Sequence, residues 1–292
     1  MYELLDGNKI EPLKIGTLSD PVFYDKPGDV FAGRDARLAG TVILPGSSFR
    51  GTPVDIWAGY VTLSGQLVSG NAPGAEGTLP GTTEKVQVVG KDGPCEAAEF
   101  NTHTGFYVRK YNDTKAGSGD EKTGSEVWFI RYRFGEVLLN AAEAAFELDQ
   151  KGLAAQYLSR LRERAGFTTK LVDTDITFDR IVHERKVELA YEGHELWDMK
   201  RWRLAHLVWN GQNMNDTPSN PAVADAVNTQ CLGLWPLKVH APGQPVNGKW
   251  VFMVRKPSHV TAAHQFRIGN YYSEINTTIL SNNPQIVKQP NQ

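Results

Sequence analysis

This chain is short of sulfur, of net charge and of long apolar runs, and each shortage removes a class of function. Its 292 residues hold two cysteines, Cys95 and Cys231. Neither has a CxxC or CxxH neighbour, and two thiols are too few for an all-cysteine zinc site. They read as two unrelated buried thiols, with a disulfide as the alternative that needs an oxidising compartment. A net charge of −2 gives no electrostatic footprint for nucleic acid. No apolar run approaches the ~18 residues of a membrane span. The opening MYELLDGNKIEP has no basic n-region, apolar h-region or small-residue cleavage site, so it does not read as a signal peptide.

The common catalytic signatures are missing too. Residues 113–125 (DTKAGSGDEKTGS) are glycine-rich, but a phosphate loop needs Gly-Lys-Ser/Thr, so they read as an exposed loop before a helix. His194-Glu195 opens like HExxH, yet Asp198 stands where the second histidine belongs. His194 and Asp198 share a helix face, but no third ligand follows, which favours a hydrogen-bonded histidine over a metal site. There is no GxSxG elbow, and neither cysteine has a protease context. No metal and no cofactor is expected.

What is present is a helical stretch over residues 125–211, between loop-rich flanks at 1–124 and 212–292. Phe134, Leu138, Ala141, Ala145 and Leu148 step by three and four, which predicts a helix over about 126–148. The alanines in 141–145 thin it so that a neighbour can approach closely. Lys151-Gly152 makes a short turn into an antiparallel helix over 153–165, with Tyr157, Leu158, Leu161 and Ala165 inward and Gly166 as its cap. This is the look of a tetratricopeptide unit. A third helix is expected from an Asp175 N-cap, with Phe178, Ile181, Val182, Arg185 and Leu189 on its inner side. Glu184, Glu188 and Glu192 recur every four residues, with Arg185 and Lys186 placed to pair with them. Alternating acids and bases on a helix point to an ion-pair network rather than to the facing carboxylates of a glycosidase. Gly193 breaks this helix, and a fourth is expected over 195–209, with Trp197, Trp202 and Trp209 in the core.

The flanks are punctuated by turn residues such as Lys26-Pro27-Gly28 and Pro45-Gly46. Short β-prone runs at 41–44, 60–63, 85–89, 105–110 and 249–255 predict hairpins rather than an extended sheet. The tail from Tyr271 to Pro290 is expected to be tied down, because Tyr271, Tyr272, Ile279 and Leu280 would otherwise expose an apolar patch. Trp57, Tyr60, Trp235 and Trp250 lie in these loop-rich parts. A rigid aromatic face can stack on a sugar's C–H surface, so these four are the candidate ligand contacts.

Several separate stretches, in order, resemble one family: 34–46 (RDARLAGTVILPG), 104–111 (TGFYVRKY), 129–148 (FIRYRFGEVLLNAAEAAFEL), 161–166 (LRERAG), 181–202 (IVHERKVELAYEGHELWDMKRW) and the tail. The sequence is similar to the SusD/RagB family of outer-membrane nutrient-binding lipoproteins. The residues that carry this signature are Arg131, Glu136, Glu143, Glu184, Arg185, Glu188, Glu192, Gly193, Trp197, Asp198, Arg201 and Trp202. Two departures are visible: the family's RDPR is Arg34-Asp35-Ala36-Arg37, and Glu195 replaces the usual arginine after EGH. The resemblance implies a mainly α, SusD-like fold, with tetratricopeptide-like helical hairpins as scaffold and long irregular loops and short β-hairpins as ligand surface. It implies capture of oligosaccharide or polysaccharide, without covalent chemistry, at the cell surface over a SusC-like TonB-dependent transporter. Family members begin with a lipoprotein signal, a lipidated cysteine and N-terminal helical repeats. None of these is visible here, so the chain reads as a C-terminal portion. A helical-repeat interaction scaffold, or capture of peptide rather than glycan, is the alternative.

Overall fold

The computed structural model describes residues 2–5, 11–97, 101–119, 123–211 and 231–290. Its helices are α1 (Arg37–Thr41), α2 (Phe134–Glu147), α3 (Lys151–Arg164), α4 (Phe178–Glu188), α5 (Glu195–Arg201), α6 (Ala205–Val208) and α7 (Thr277–Asn282). Its strands are β1 (Val42–Ile43), β2 (Ser48–Phe49), β3 (Thr52–Pro53), β4 (Gly59–Thr62), β5 (Leu67–Val68), β6 (Glu76–Thr78), β7 (Lys85–Gln87), β8 (Tyr107–Val108), β9 (Gly233–His240) and β10 (Trp250–Arg255). The fold is mainly helical, with short sheets and long connections.

The helical hairpin forms as its alanines require. Leu138, Leu139, Ala142 and Ala145 of α2 meet Ala154, Ala155, Leu158 and Leu161 of α3, and Leu171, Ile176, Ile181 and Leu189 close the cluster. Alanine at the seam lets the backbones approach, and leucine fills the space between them. Asp149, at φ 57, reverses the chain, and Gly166, at φ 94, ends α3.

Four expectations fail around this hairpin. α2 starts at Phe134 rather than at 126. Residues 126–133 are non-helical, with Trp128 86% and Tyr132 80% exposed. Aromatic and β-branched residues lose χ1 freedom in a helix, and this stretch has no helical face buried to offset that. Arg133 keeps an extended backbone (φ −149) while its guanidinium reaches Glu188 and Glu192. Phe134 and Leu148, expected on the inner face, are exposed. α4 is capped by Thr177, whose Oγ1 accepts from Arg180 N at 3.1 Å; Asp175 instead accepts from Val172 N at 2.8 Å. The fourth helix is two pieces, α5 and α6, parted at Arg203 (φ 59). Trp197 is therefore not in the core but 66% exposed, while Trp202 and Trp209 are half-buried.

The glutamates of α4 and of the turn after it pair with cations from elsewhere in the chain. Glu184 meets Arg37 (2.7 Å) and Arg162 (2.9 Å). Glu188 meets Arg37 (2.9 Å), Arg133 (2.5 Å) and Arg164 (2.5 Å). Glu192 meets Arg133 (2.7 Å) and Lys110 (2.6 Å). The expected partners face other acids: Arg185 clasps Asp198 at 2.9 and 3.0 Å, and Lys186 reaches Glu195. Burial works against the Arg37 charge, but Glu184, Asp35 and Glu188 outweigh it and hold its pKa above the ordinary value. Burial likewise opposes ionised Glu188 and Glu192, and the adjoining cations hold both pKa values down. The network ties residues 3, 35, 37 and 110 to α3 and α4, so it sets how the loop-rich part meets the hairpin.

The loop-rich part is braced by a sheet of order β10-β9-β4-β5, with β9 antiparallel to β10 and parallel to β4. Its inner face buries Val61, Trp235, Leu237, Val239, Val251 and Met253. An eight-residue β9 was not expected, because Pro236 argues against a central strand. Pro236 lacks the N–H of a central strand, but its carbonyl accepts from Ala58 N at 2.8 Å, just before β4 begins. Both cysteines are free thiols; Cys95 is buried, but Cys231 is exposed, against expectation.

Candidate functional site

The four aromatic candidates divide by face and burial. Trp57 and Trp235 are 2% and 3% exposed, so neither can offer a ring to a ligand. Trp235 lies in the inner core; its Nε1 donates to His103 O at 3.0 Å, and the Arg255 guanidinium stands 4.6 Å from its ring. Trp57 is walled in by neighbouring backbone: a Cβ at Gly90 would come within 2.7 Å of its ring. Local composition reads as loop at both positions, but Trp235 packs in the sheet core and Trp57 is buried against Gly90, Tyr60 and Lys238.

Tyr60 and Trp250 are half-buried and stand in one row across the sheet. Trp250 pairs in register with Lys238, and Lys238 with Tyr60, so the three share the face opposite Trp235. The Lys238 ammonium lies 3.6 Å from the Trp57 ring centroid and 5.3 Å from that of Trp250. Burial lowers the Lys238 pKa, with Asp55 opposing. Tyr60 meets Trp57 edge-on at 5.4 Å and packs against Leu79, Val88 and Val89. Three of the four candidates thus gather around one lysine, and of these Tyr60 and Trp250 are half-buried while Trp57 is buried.

Asp55 is the hub beneath them. It accepts from Trp57 Nε1 (2.7 Å), Gln87 Nε2 (2.8 Å) and Lys91 N (2.9 Å). Burial disfavours its charge, but these hydrogen bonds and Lys238 outweigh that and hold its pKa low. Asp55 N in turn donates to Asp92 Oδ2 at 2.8 Å. Asp92 is the wall of an open cavity of about 400 Å³, shared with Phe49, Arg50, Tyr107 and Asn112.

This cavity sets aromatic rings beside polar groups of both signs. Tyr107 Oη is engaged at 2.6 Å by Asn101 Oδ1 and at 3.2 Å by Asp92 O, so the ring rather than the hydroxyl is what Tyr107 has to offer. Arg50 lies beside Phe49, its guanidinium carbon 5.2 Å from the ring centroid. Guanidinium, carboxylate and carboxamide groups next to aromatic faces suit a ligand rich in hydroxyls. None of these five residues stood out in the sequence. Tyr107 lies in the family-like stretch 104–111, and nothing in Phe49-Arg50-Gly51-Thr52 marks the arginine.

The signature residues of the helical part build structure. Glu143 is clasped by Arg201 and by Trp202 Nε1 (2.8 Å), and Asp198 by Arg185 and Arg201. His194 Nε2 is 3.8 Å from buried Glu136, Gly193 takes φ 81, and Arg131 is exposed. Among the described residues no cluster of three or more potential metal ligands occurs, and no helix is long and apolar enough to cross a membrane.

The structure thus joins a helical hairpin, through a buried charge network, to a sheet-braced body with an open cavity whose lining mixes Ile43, Val54 and Val108 with the aromatic and polar groups. The SusD family model matches residues 2–291, and the chain belongs to that family. It is similar to the SusD-like protein P2 of Formosa agariphila, 31% identical over 130 residues, which is 41% of this chain and 26% of that protein. Protein P25 of the same organism is 40% identical over 80 residues, 26% of this chain and 15% of that one. A SusD-like protein from Bacteroides fragilis superposes at a TM-score of 0.57 with 16% identity, over 100% of this chain and 45% of its own. A SusD-like carbohydrate binding protein from the same organism superposes at 0.55 with 21% identity, over 97% and 46%. The chain thus spans under half the length of these structures.

Proposed function

We propose that this protein captures oligosaccharide at the cell surface, as part of an outer-membrane lipoprotein, and passes it to a SusC-like TonB-dependent transporter without turnover. The observation that carries this reading is the cavity between Phe49, Arg50, Asp92, Tyr107 and Asn112. Its mixture of rings, donors and acceptors is the chemistry that sugars need. Membership of the SusD family supports the reading, as does the similarity to a structure described as a carbohydrate binding protein.

The test is a glycan array followed by titration calorimetry on the purified protein, with the saccharide analysed afterwards. The reading expects saturable binding in the micromolar-to-millimolar range and an unaltered saccharide. Failure to bind any saccharide would remove it. The second reading, a helical interaction scaffold, is favoured by the exposed Trp128, Phe129, Tyr132 and Val137 at the helical end. It expects a protein or peptide ligand that is lost on replacing Trp128 and unaffected by changes in the cavity.

A further inference from the structure

Arg50 occupies a backbone position that arginine rarely takes. β2 and β3 are joined by two residues, Arg50 at φ 52 and Gly51 at φ 79, with Phe49 paired to Thr52. Positive φ at both positions is a type I′ turn, whose first place favours asparagine, aspartate or glycine. A strained arginine persists only when its surroundings hold it. Here they do: Nε donates to Asp113 O at 2.9 Å, and the guanidinium lies beside the Phe49 ring. Nη2 stands 3.5 Å from where a Cβ on Gly119 would be, an ordinary van der Waals distance. Among the described residues, no hydrogen bond uses Nη1 or Nη2 of this fixed group, which lines the cavity.

The same cavity is also lined by a fixed acceptor. Asp92 Oδ2 is taken by Asp55 N, and Asp55 is itself held by Trp57, Gln87 and Lys91. Asp92 therefore cannot turn away, and among the described residues its Oδ1 has no hydrogen-bond donor. The cavity thus presents one cation with free donors and one anion with a free acceptor. A hydroxyl both donates and accepts, so an uncharged sugar satisfies both walls at once. A uronate or sulfate would satisfy Arg50 but bring its charge into the same cavity as Asp92, where like charges penalise each other.

We propose that Arg50 and Asp92 make this cavity selective for uncharged sugar residues over acidic ones. Arg50 donates to one hydroxyl, Asp92 accepts from another, and Phe49 and Tyr107 flank the ring. This rests on the reading that the cavity binds glycan.

The test is calorimetry with two sets of probes, neutral malto-, xylo- and manno-oligosaccharides against oligogalacturonate, oligomannuronate and sulfated galactan fragments. The proteins are the wild type, Arg50→Asn and Asp92→Asn. The wild type should bind a neutral probe at least about tenfold more tightly than any acidic one, a difference worth about one hydrogen-bonded charge. Arg50→Asn puts a favoured residue into the turn, so its unfolding midpoint should hold or rise while neutral binding weakens about tenfold. Asp92→Asn keeps an oxygen for Asp55 N but removes the opposing charge, so acidic probes should gain about tenfold. Acidic probes binding the wild type as tightly as neutral ones would overturn the inference and leave glycan binding standing. So would binding that ignores both substitutions. Binding of neither set would overturn the glycan reading itself, and this inference with it.

Discussion

Asp55 and Asp92 hold each other through two hydrogen bonds, Asp55 N to Asp92 Oδ2 at 2.8 Å and Asp92 N to Asp55 O at 3.2 Å. Through this pair the buried tryptophan hub and the open cavity become one unit. A side chain that never meets the ligand, Trp57, thereby fixes one that can.

Replacement of the buried tryptophans should therefore register as lost stability. Trp57→Ala and Trp235→Ala should each cost about 3–5 kcal/mol, the usual range for emptying a large core site. Trp250→Ala, at a half-buried position, should cost nearer ~1 kcal/mol. Urea denaturation checks this; similar losses at Trp250 and Trp57 would contradict the burial assignment.

The charge network should show the contrast between buried and exposed pairs. Arg162 and its partners Glu3 and Glu184 are each at most 1% exposed along the side chain. Arg162→Met would take one cation from each of two buried carboxylates, which keep Arg180 and Arg37, and should cost about 3–5 kcal/mol. Arg164 is 63% exposed although it also touches Glu188. Its alanine variant should lose less than about 1 kcal/mol. Equilibrium unfolding of both variants is the check.

His183 gives a signed pH dependence. Burial first, then Arg180, Arg37 and Arg162, push its pKa down to about 3 from an ordinary 6.5, and Glu3 at 3.4 Å does not offset them. Below the ordinary value the unfolded chain takes up a proton that the folded chain refuses. Stability should therefore fall as pH drops below 6.5, by at most about 1.4 kcal/mol per unit. Glu188 and Glu192, with depressed pKa values, add their losses only below the ordinary carboxylate value of 4.5. Between the two windows His183→Gln should flatten the slope, read by denaturation at a series of pH values. An unchanged slope would show that His183 is not the group responsible.

The exposed segment before α2 makes an optical prediction. Trp128 is 86% and Trp197 66% exposed, whereas Trp57 and Trp235 are buried. Acrylamide should quench a red-shifted fraction of the emission readily and leave a blue-shifted fraction protected. Trp128→Phe and Trp197→Phe together should remove most of the quenchable part. Loss of the protected part instead would contradict the placement of these residues.

The hairpin of α2 and α3 was legible because its cause is local: alanine and leucine at helical spacing, a short turn and a capping glycine. The acids of α4 were legible as an ion-pair network, but their partners were not, because Arg37, Arg133 and Lys110 arrive from distant segments. β9 was hidden by Pro236, which lacks the N–H of a central strand although its carbonyl accepts from the adjoining Ala58 amide. Trp57 and Trp235 resemble exposed loop aromatics in sequence, and only long-range packing, Trp235 in the sheet core and Trp57 against Gly90, Tyr60 and Lys238, says otherwise. Arg50 was the least legible of all. Its guanidinium is held by the Asp113 carbonyl, more than sixty residues away, and an arginine in a hairpin carries no mark of that.

The central claim is that the cavity between Arg50 and Asp92 receives the ligand. Its most direct test is a crystal structure of the protein with a neutral oligosaccharide that it binds in solution. The account expects a sugar ring in that cavity, with hydroxyls in hydrogen-bond reach of an Arg50 Nη and of Asp92 Oδ1 and a face against Phe49. Saccharide bound elsewhere, for instance along Trp128 to Tyr132, with the cavity empty, would contradict it.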